Sequence, residues 1–316
     1  MPTTYLEFEK PLAELETKIA ELEAAGGGAI DEEIGKLREK AARQLKDIYS
    51  HLNAWQKTQV ARHPERPHFI DYVQELFEEF VELAGDRKFM NDDAIMGGLA
   101  RFRGRPVVVI GHEKGRDTQT RLRHNFGMGK PEGYRKAVRL IEMAGRFGLP
   151  VIALVDTSGA FPGKGGEERG QAEALARSIE ACLTLDTPMI SVIVGEGGSG
   201  GAVALASGNK VLMMEHAIYS VISPEGAASI LFHDAKRAKD TAEAMKITAQ
   251  DLEKFRIVDG VVPEPMGGAH RDPKVAMTNV GDAIESALAA LAPLSAEELR
   301  KQRKDRFYAI GREGLA

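Results

Sequence analysis

Two short windows concentrate residues able to stabilise negative charge. DTSGAFPGKGGEERG carries Gly159, Gly163, Gly165, Gly166 and Gly170, and GEGGSGG carries Gly195, Gly197, Gly198, Gly200 and Gly201. Each window follows a predicted strand and opens a predicted helix. That placement aims unpaired backbone N–H groups, with the positive helix end behind them, at whatever lies over the turn. Glycine lets a ligand approach the main chain closely. Such a turn can hold an anion or a developing oxyanion. One turn of this kind is equally well a tight connection without a ligand; two in succession favour a ligand.

Three sharper readings compete for the second window. Gly195, Gly197 and Gly200 satisfy the dinucleotide spacing G-x-G-x-x-G, with Glu215 about 20 residues on. Against it, only about ten residues separate Gly200 from the next apolar run at Val211, and a parallel crossover needs roughly a dozen or more. Gly197, Ser199 and Gly201 satisfy the nucleophile elbow G-x-S-x-G. Asp234, Asp240, Asp251 or Asp259, followed by His270, supplies the required chain order, but His270 lies in GGAHRDP with no strand before it. Ser199 reads instead as a helix N-cap. The third reading is an oxyanion hole of backbone amides, which needs no side-chain nucleophile. A P-loop is excluded, because Lys164 is followed by Gly165 rather than Ser or Thr.

Between the elements flanking these turns lies GHEKGRDTQTRLRHNFGMGKPEGYRK. Its Lys114, Arg116, Arg121, Arg123, Lys130, Arg135 and Lys136 outnumber Glu113, Asp117 and Glu132. A basic segment in an acidic chain suits a phosphorylated or carboxylated ligand, although an exposed charged loop has the same composition.

The elements that must position these turns show in the apolar pattern. PVVVI (106–110), VIALV (151–155), MISVIV (189–194) and VLMM (211–214) are β-branched or aliphatic runs separated by helical periodicity. This predicts buried, largely parallel strands of an α/β fold. Phe69, Tyr72, Leu76, Phe80 and Leu83 predict one helix stopped at Gly85, and Ala137, Leu140, Ala144 and Phe147 predict another. Ala172, Leu175, Ile179 and Cys182 share a helix face, which places the single Cys as a buried apolar residue. Residues 1–55 read as a helical hairpin broken at Gly26, Gly27 and Gly28, residues 56–295 as the main domain, and residues 296–316 as a basic helix. Arg300, Lys301, Arg303, Lys304 and Arg306 of that helix read as a solvated face.

The 316 residues include 33 Gly, about 10% against a usual share of roughly 7%. The formal net charge of −5 argues against a nucleic-acid coat, and one Cys excludes a disulfide framework or a multi-thiolate zinc site in this chain. No apolar run nears the roughly 20 residues of a membrane span. MPTTYLEFEK lacks a signal or transit pattern, so a cytoplasmic location is expected.

The longer strings add a resemblance. RHPERPHFIDYVQELFEEFVELAGDR, GHEKGRDTQTRLRHNFGMGKPEGYRKA, DTSGAFPGKGGEERGQAEA, ISVIVGEGGSGG and YSVISPEGAASI resemble the carboxyltransferase alpha subunit of bacterial acetyl-CoA carboxylase, over about residues 5–310. The resemblance implies a crotonase-like (ClpP/crotonase) fold of ββα units in a superhelix. It implies transfer of a carboxyl group from carboxybiotin, on the biotin carboxyl carrier protein, to acetyl-CoA, giving malonyl-CoA for fatty acid biosynthesis. It also implies an α2β2 heterotetramer with a beta subunit that carries the zinc, alongside biotin carboxylase in a larger complex, and no metal in this chain. Carried onto this sequence, the amides of Gly200 and Gly201, or that of Ala202, are the expected oxyanion hole for the biotin ureido oxygen, and Gly197 and Gly198 shape that turn. Gly159 and Ala160 match the family's other turn. Arg121 and Arg123 are the expected contacts to CoA phosphates. Ser158 and Phe161 depart from the family's usual Pro and Tyr. A Clp-type serine peptidase acting through Ser199 and a non-catalytic partner subunit are the other classes the residues leave open.

Overall fold

The computed structural model describes residues 4–25 and 31–312. The expected break at Gly26–Gly28 lies outside the described residues. Helices α1 (Lys10–Ala25) and α2 (Asp31–Ser50) come first, then α3 (Ala54–Ala61) and α4 (Phe69–Leu76). Strands β1 (Phe77–Glu82), β2 (Ile95–Phe102) and β3 (Arg105–His112) precede α5 (Thr118–Arg123) and α6 (Pro131–Phe147). Next, β4 (Val151–Thr157) leads to α7 (Lys164–Glu168) and α8 (Gln171–Thr184), and β5 (Met189–Gly198) leads to α9 (Ser199–Val203). Strands β6 (Lys210–Met214) and β7 (Ile218–Ser220), helices α10 (Pro224–Phe232), α11 (Ala238–Ala244) and α12 (Ala249–Lys254), strand β8 (Gly260–Val262), and helices α13 (Pro273–Leu291) and α14 (Ala296–Ala309) complete the chain.

The sheet order is β1-β2-β3-β4-β5-β6-β8, with β7 pairing the end of β5. The first three strands are antiparallel, and from β3 onward every pair is parallel. Every residue of β4 and β5 is buried. Helices cover both sheet faces, which is why the central strands read as continuous apolar runs rather than alternating ones. Asp117, Ser223, Thr248, Asp272 and Ser295 each cap a helix by accepting a backbone N–H with the side chain.

Three expectations are corrected, and one strand gave no signal in the sequence. The helix predicted through Leu83 stops at Leu76, because Phe77–Glu82 pairs with β2, and the Phe77 and Phe102 rings pack 5.4 Å apart. Cross-strand pairing overrides a local helical period here. Strand β2, IMGGLARF, gave no apolar run, since Gly98 packs where a Cβ would lie 2.0 Å from Val81 O. The tail is two helices, α13 and α14, and its basic face is not simply solvated. Arg303 is fully buried and donates to Leu185 O (2.8 Å) and Thr187 O (3.0 Å), while Arg306 pairs with Asp259 at 2.7 Å. Finally, β5 and β6 pair in parallel across only residues 199–209, so the crossover-length objection to a dinucleotide site does not hold in this fold.

Helices α1 and α2 share a small core of Leu12, Ile19, Ile34 and Ala41. Arg271 ties that pair to the main body through Glu16 at 2.9 Å. Among the described residues no helix is long and apolar enough to cross a membrane.

Candidate active site

Parallel pairing of β4 with β5 brings the two glycine windows together at one sheet edge, with Thr157 level with Gly197. Ligands of parallel α/β sheets bind at such carboxyl ends. The first turn is held rigid. Gly159 N–H donates to Thr157 Oγ1 (3.1 Å), the Thr157 hydroxyl donates to Gly159 O (2.8 Å), and Phe161 N–H donates to Gly129 O (2.9 Å). Gly159 has φ 146, open to glycine but strained for other residues.

The second turn packs directly on the first. A Cβ on Gly198 would lie 2.2 Å from the Ser158 carbonyl carbon, and one on Gly201 would lie 2.6 Å from Ala160 N. A side chain at either position would push the turns apart. Gly200 differs: it is half-buried, and the nearest atom to a Cβ there is Leu175 Cδ1 at 3.4 Å. Gly201 and Ala202 are buried beneath it. Gly200 and Gly201 fall in the first turn of α9, where no preceding helical carbonyl accepts from their N–H groups. Behind this turn, Ser178 Oγ donates to Ala204 O at 2.7 Å and Cys182 Sγ lies 3.6 Å from the same oxygen. Burial pushes the Cys182 thiol up to about 12, so it is a packing residue rather than a nucleophile.

Ser199 is not the side-chain N-cap expected of it. Gly198 occupies the cap position, and Ser199 begins α9 at φ 52 with no capping hydrogen bond. The residues offered for a hydrolase triad are committed elsewhere. His270 is buried, stacked on His63 with ring centroids 3.8 Å apart, and both its ring nitrogens lack partners. Burial and the neighbouring His63 push it down to about 3. The acids offered for the triad are engaged elsewhere: Asp259 with Arg306, Asp240 with Arg237, Asp251 with Thr248, and Asp234 with Lys236 N–H. Glu215, the acid of the dinucleotide reading, accepts Glu264 N–H at 3.0 Å.

A polar cleft of about 440 Å³ opens beside Ser158, lined by Arg62, Lys114, Arg121, Asp156 and Glu196 among others. Sequence reasoning missed its acids, because Asp156 and Glu196 stand among the glycine-window residues with no local sign of their cationic partners. Lys114 Nζ lies 2.6 Å from Asp156 Oδ1, which also accepts Glu196 N–H at 2.8 Å, and Arg62 Nη2 lies 2.6 Å from Glu196 Oε1. Burial alone raises the Asp156 carboxyl, but Lys114 and His68 hold it below its ordinary value. The Asp156 carboxylate fills the space that a side chain at Gly195 would need, with a Cβ there 2.5 Å from Oδ1.

The basic segment is largely neutralised within the fold. Lys136 is fully buried and donates to Asn91 Oδ1 (2.7 Å) and Asp92 O (2.9 Å), Arg135 pairs with Asp86 at 2.8 Å, and Arg116 pairs with Asp71. Arg121 and Arg123 are not placed alike. Arg121 lines the polar cleft, whereas Arg123 is exposed and pairs with Asp93 at 2.9 Å. Lys130 Nζ stands 5.7 Å over the Phe161 ring.

Ser199 and Gly200 border a second cleft of about 440 Å³ lined chiefly by apolar side chains, among them Val203, Tyr219, Val221 and Ile257. Among the described residues no group of His, Cys, Asp and Glu is arranged to hold a metal ion.

This sheet, with paired amide turns at its carboxyl edge, is the crotonase fold of acyl-CoA carboxyltransferases. The transcarboxylase 12S core, solved with methylmalonyl-coenzyme A and methylmalonic acid bound, superposes with TM-score 0.59 at 19% identity, over 72% of this chain and 42% of that chain. A Pseudomonas malonate decarboxylase hetero-tetramer in complex with coenzyme A superposes with TM-score 0.56 at 16% identity, over 68% of this chain and 87% of that chain. Residues 5–311 match the family described as acetyl co-enzyme A carboxylase carboxyltransferase-like, and the chain belongs to it. The acetyl-coenzyme A carboxylase carboxyl transferase subunit alpha of Caulobacter vibrioides (strain NA1000 / CB15N) is 66% identical over 319 residues, covering all of both chains.

Proposed function

We propose that this chain is the alpha half of a carboxyltransferase that moves a carboxyl group to the methyl carbon of acetyl-CoA, forming malonyl-CoA for fatty acid biosynthesis in the cytoplasm. Carboxybiotin, brought by the biotin carboxyl carrier protein, supplies the carboxyl group. The family and the 66% identical relative support the substrate class.

The observation that carries the mechanism is the first turn of α9. Gly200 and Gly201 offer N–H groups without helical acceptors, and Gly200 borders an apolar cleft. That combination suits a bicyclic urea: an apolar wall for its rings and amide donors for the ureido oxygen as negative charge gathers there. Gly200 has the open approach. The buried Gly201 and Ala202 lie behind it, with Gly197 and Gly198 setting the turn and Gly159 and Ala160 supporting it from the first window. The candidate triad acids and His270 are engaged away from these amides, which fits a reaction whose proton acceptor belongs to the biotin group itself.

The site is completed by a second polypeptide. Val221, at the edge of the apolar cleft, is 78% exposed, and Ile230 and Leu231 of α10 are 67% and 66% exposed, as a docking surface requires. We assign this surface to the beta subunit of an α2β2 assembly, with the zinc held by that subunit and biotin carboxylase acting upstream. Arg121, at the polar cleft, is the better placed of the two arginines for a CoA phosphate.

Mixing the purified chain with a beta subunit and assaying malonyl-CoA tests the reading. No activity alone and activity on mixing are expected. Full activity of the isolated chain, or fluorophosphonate labelling of Ser199, refutes it.

A further inference from the structure

Tyr134, in the first turn of α6, is fully buried, and its hydroxyl has no hydrogen-bond partner. The equally buried Tyr72 shows the ordinary arrangement, with its hydroxyl 3.1 Å from Met214 Sδ. Buried tyrosines normally find a partner, because an unpaired O–H carries a desolvation penalty that phenylalanine at the same site avoids.

The place of this hydroxyl is specific. A Cβ built on Gly201 would lie 2.9 Å from it, and 2.6 Å and 2.7 Å from Ala160 N and the Gly159 carbonyl carbon. The phenol thus stands where the two glycine turns touch. Its ring lies against Gly129, where a Cβ would meet the ring at 2.9 Å, and Gly129 O accepts the Phe161 N–H that pins the first turn. Position 161, next in the first turn, is Phe and brings no hydroxyl of its own to this junction.

We propose that Tyr134 is a positioning residue for carboxyl transfer. In the loaded complex its O–H donates to a main-chain carbonyl at the Gly159–Ala160/Gly201 junction and sets the spacing of the two turns. The inference rests on the amide reading of that junction. Burial raises the phenol well above its ordinary range, so it remains a neutral donor throughout the working pH range.

The test is Tyr134→Phe in the chain assembled with its beta subunit, with kcat, KM for acetyl-CoA and thermal unfolding measured together. Activity and stability should move in opposite directions. We expect kcat to fall about 10-fold or more with KM within about 2-fold, since the lost bond acts on geometry rather than on substrate affinity. Tm should stay level or rise by about 1–3 °C, since an unpaired polar group has gone. Unchanged kcat overturns the proposal. So does a lower Tm or failed assembly, either of which marks a residue that only supports the fold. A parallel Gly201→Ala variant separates the two levels: if it is inactive while Tyr134→Phe is normal, only this inference fails, and if both are fully active the amide reading fails with it.

Discussion

Gly200 and Gly201 are neighbours in one short helix, yet the structure assigns them opposite tolerances to a methyl group. At Gly201 the new Cβ meets Ala160 N at 2.6 Å, the Gly159 carbonyl carbon at 2.7 Å and Tyr134 Oη at 2.9 Å. Main chain cannot rotate away, so the turns must separate by about 0.8 Å for the closest contact to open from 2.6 Å to an ordinary 3.4 Å. Overpacking of this kind costs about 1–3 kcal/mol of stability. A displacement near 1 Å in a reacting geometry costs about 100-fold in rate, equivalent to about 2.7 kcal/mol of barrier. Gly201→Ala should therefore lower kcat/KM about 100-fold or more and lower Tm. At Gly200 the new Cβ meets only Leu175 Cδ1 at 3.4 Å, and its φ is not in the left-handed region. Replacing helical Gly by Ala gains about 0.5–1 kcal/mol from reduced chain entropy. Gly200→Ala should keep or raise Tm and lose less than about 10-fold in kcat/KM, because the amide is retained. Steady-state carboxyl transfer with the beta subunit, paired with thermal unfolding, reads both variants. Equal losses at the two positions, or a fully active Gly201→Ala enzyme, would refute the claim that turn spacing governs the rate.

Other measurements follow from the same geometry. Glu264 is fully buried against Arg66 at 2.6 Å; burial raises its carboxyl, but Arg66 holds it at about 2, below the ordinary value near 4.5. A depressed carboxylate pKa stabilises the fold above the unfolded value. The pair should thus contribute roughly 3 kcal/mol at neutral pH, lost as pH falls from about 4.5 to 2, and Glu264→Gln should flatten that part of a urea-denaturation pH series. Ser199→Ala should keep substantial transferase activity, because His270, the histidine a triad would need, has both ring nitrogens unpartnered and stacks on His63; total loss with the fold and assembly intact would return the hydrolase reading. Arg121→Ala should raise KM for CoA esters several-fold while Arg123→Ala, exposed and paired with Asp93, should not, as steady-state kinetics on the assembled enzyme will show.

The strands that build the site were legible because burial on both faces leaves an uninterrupted apolar run, as in VIALV and MISVIV. The glycine windows were legible for a related reason: a strand-to-helix turn that exposes amides needs residues without side chains. Less was readable wherever a partner distant in sequence sets the structure. FEEFVE continues a helical period and becomes a strand only beside β2. Arg303 looks like one of five surface cations and is instead buried against the carbonyls after α8. Asp156 and Glu196 sit just past the apolar runs, at the head of the glycine windows, and nothing local says that Lys114 and Arg62 will meet them.

The ten glycines illustrate the division. Composition and local pattern placed them in two strand-to-helix turns, and the long motifs tied those turns to a family. Which glycine does what was decided only when β4 and β5 paired and pressed the turns together. Gly198 and Gly201 are glycine because main chain passes within van der Waals distance, Gly195 because the Asp156 carboxylate occupies its side-chain space, and Gly200 has no such neighbour and is left facing a cleft. A turn's conformational needs are encoded over a few residues. The contacts that separate a glycine packed against main chain from one left open to a cleft come from segments about 40 residues apart, and only the folded chain brings those together.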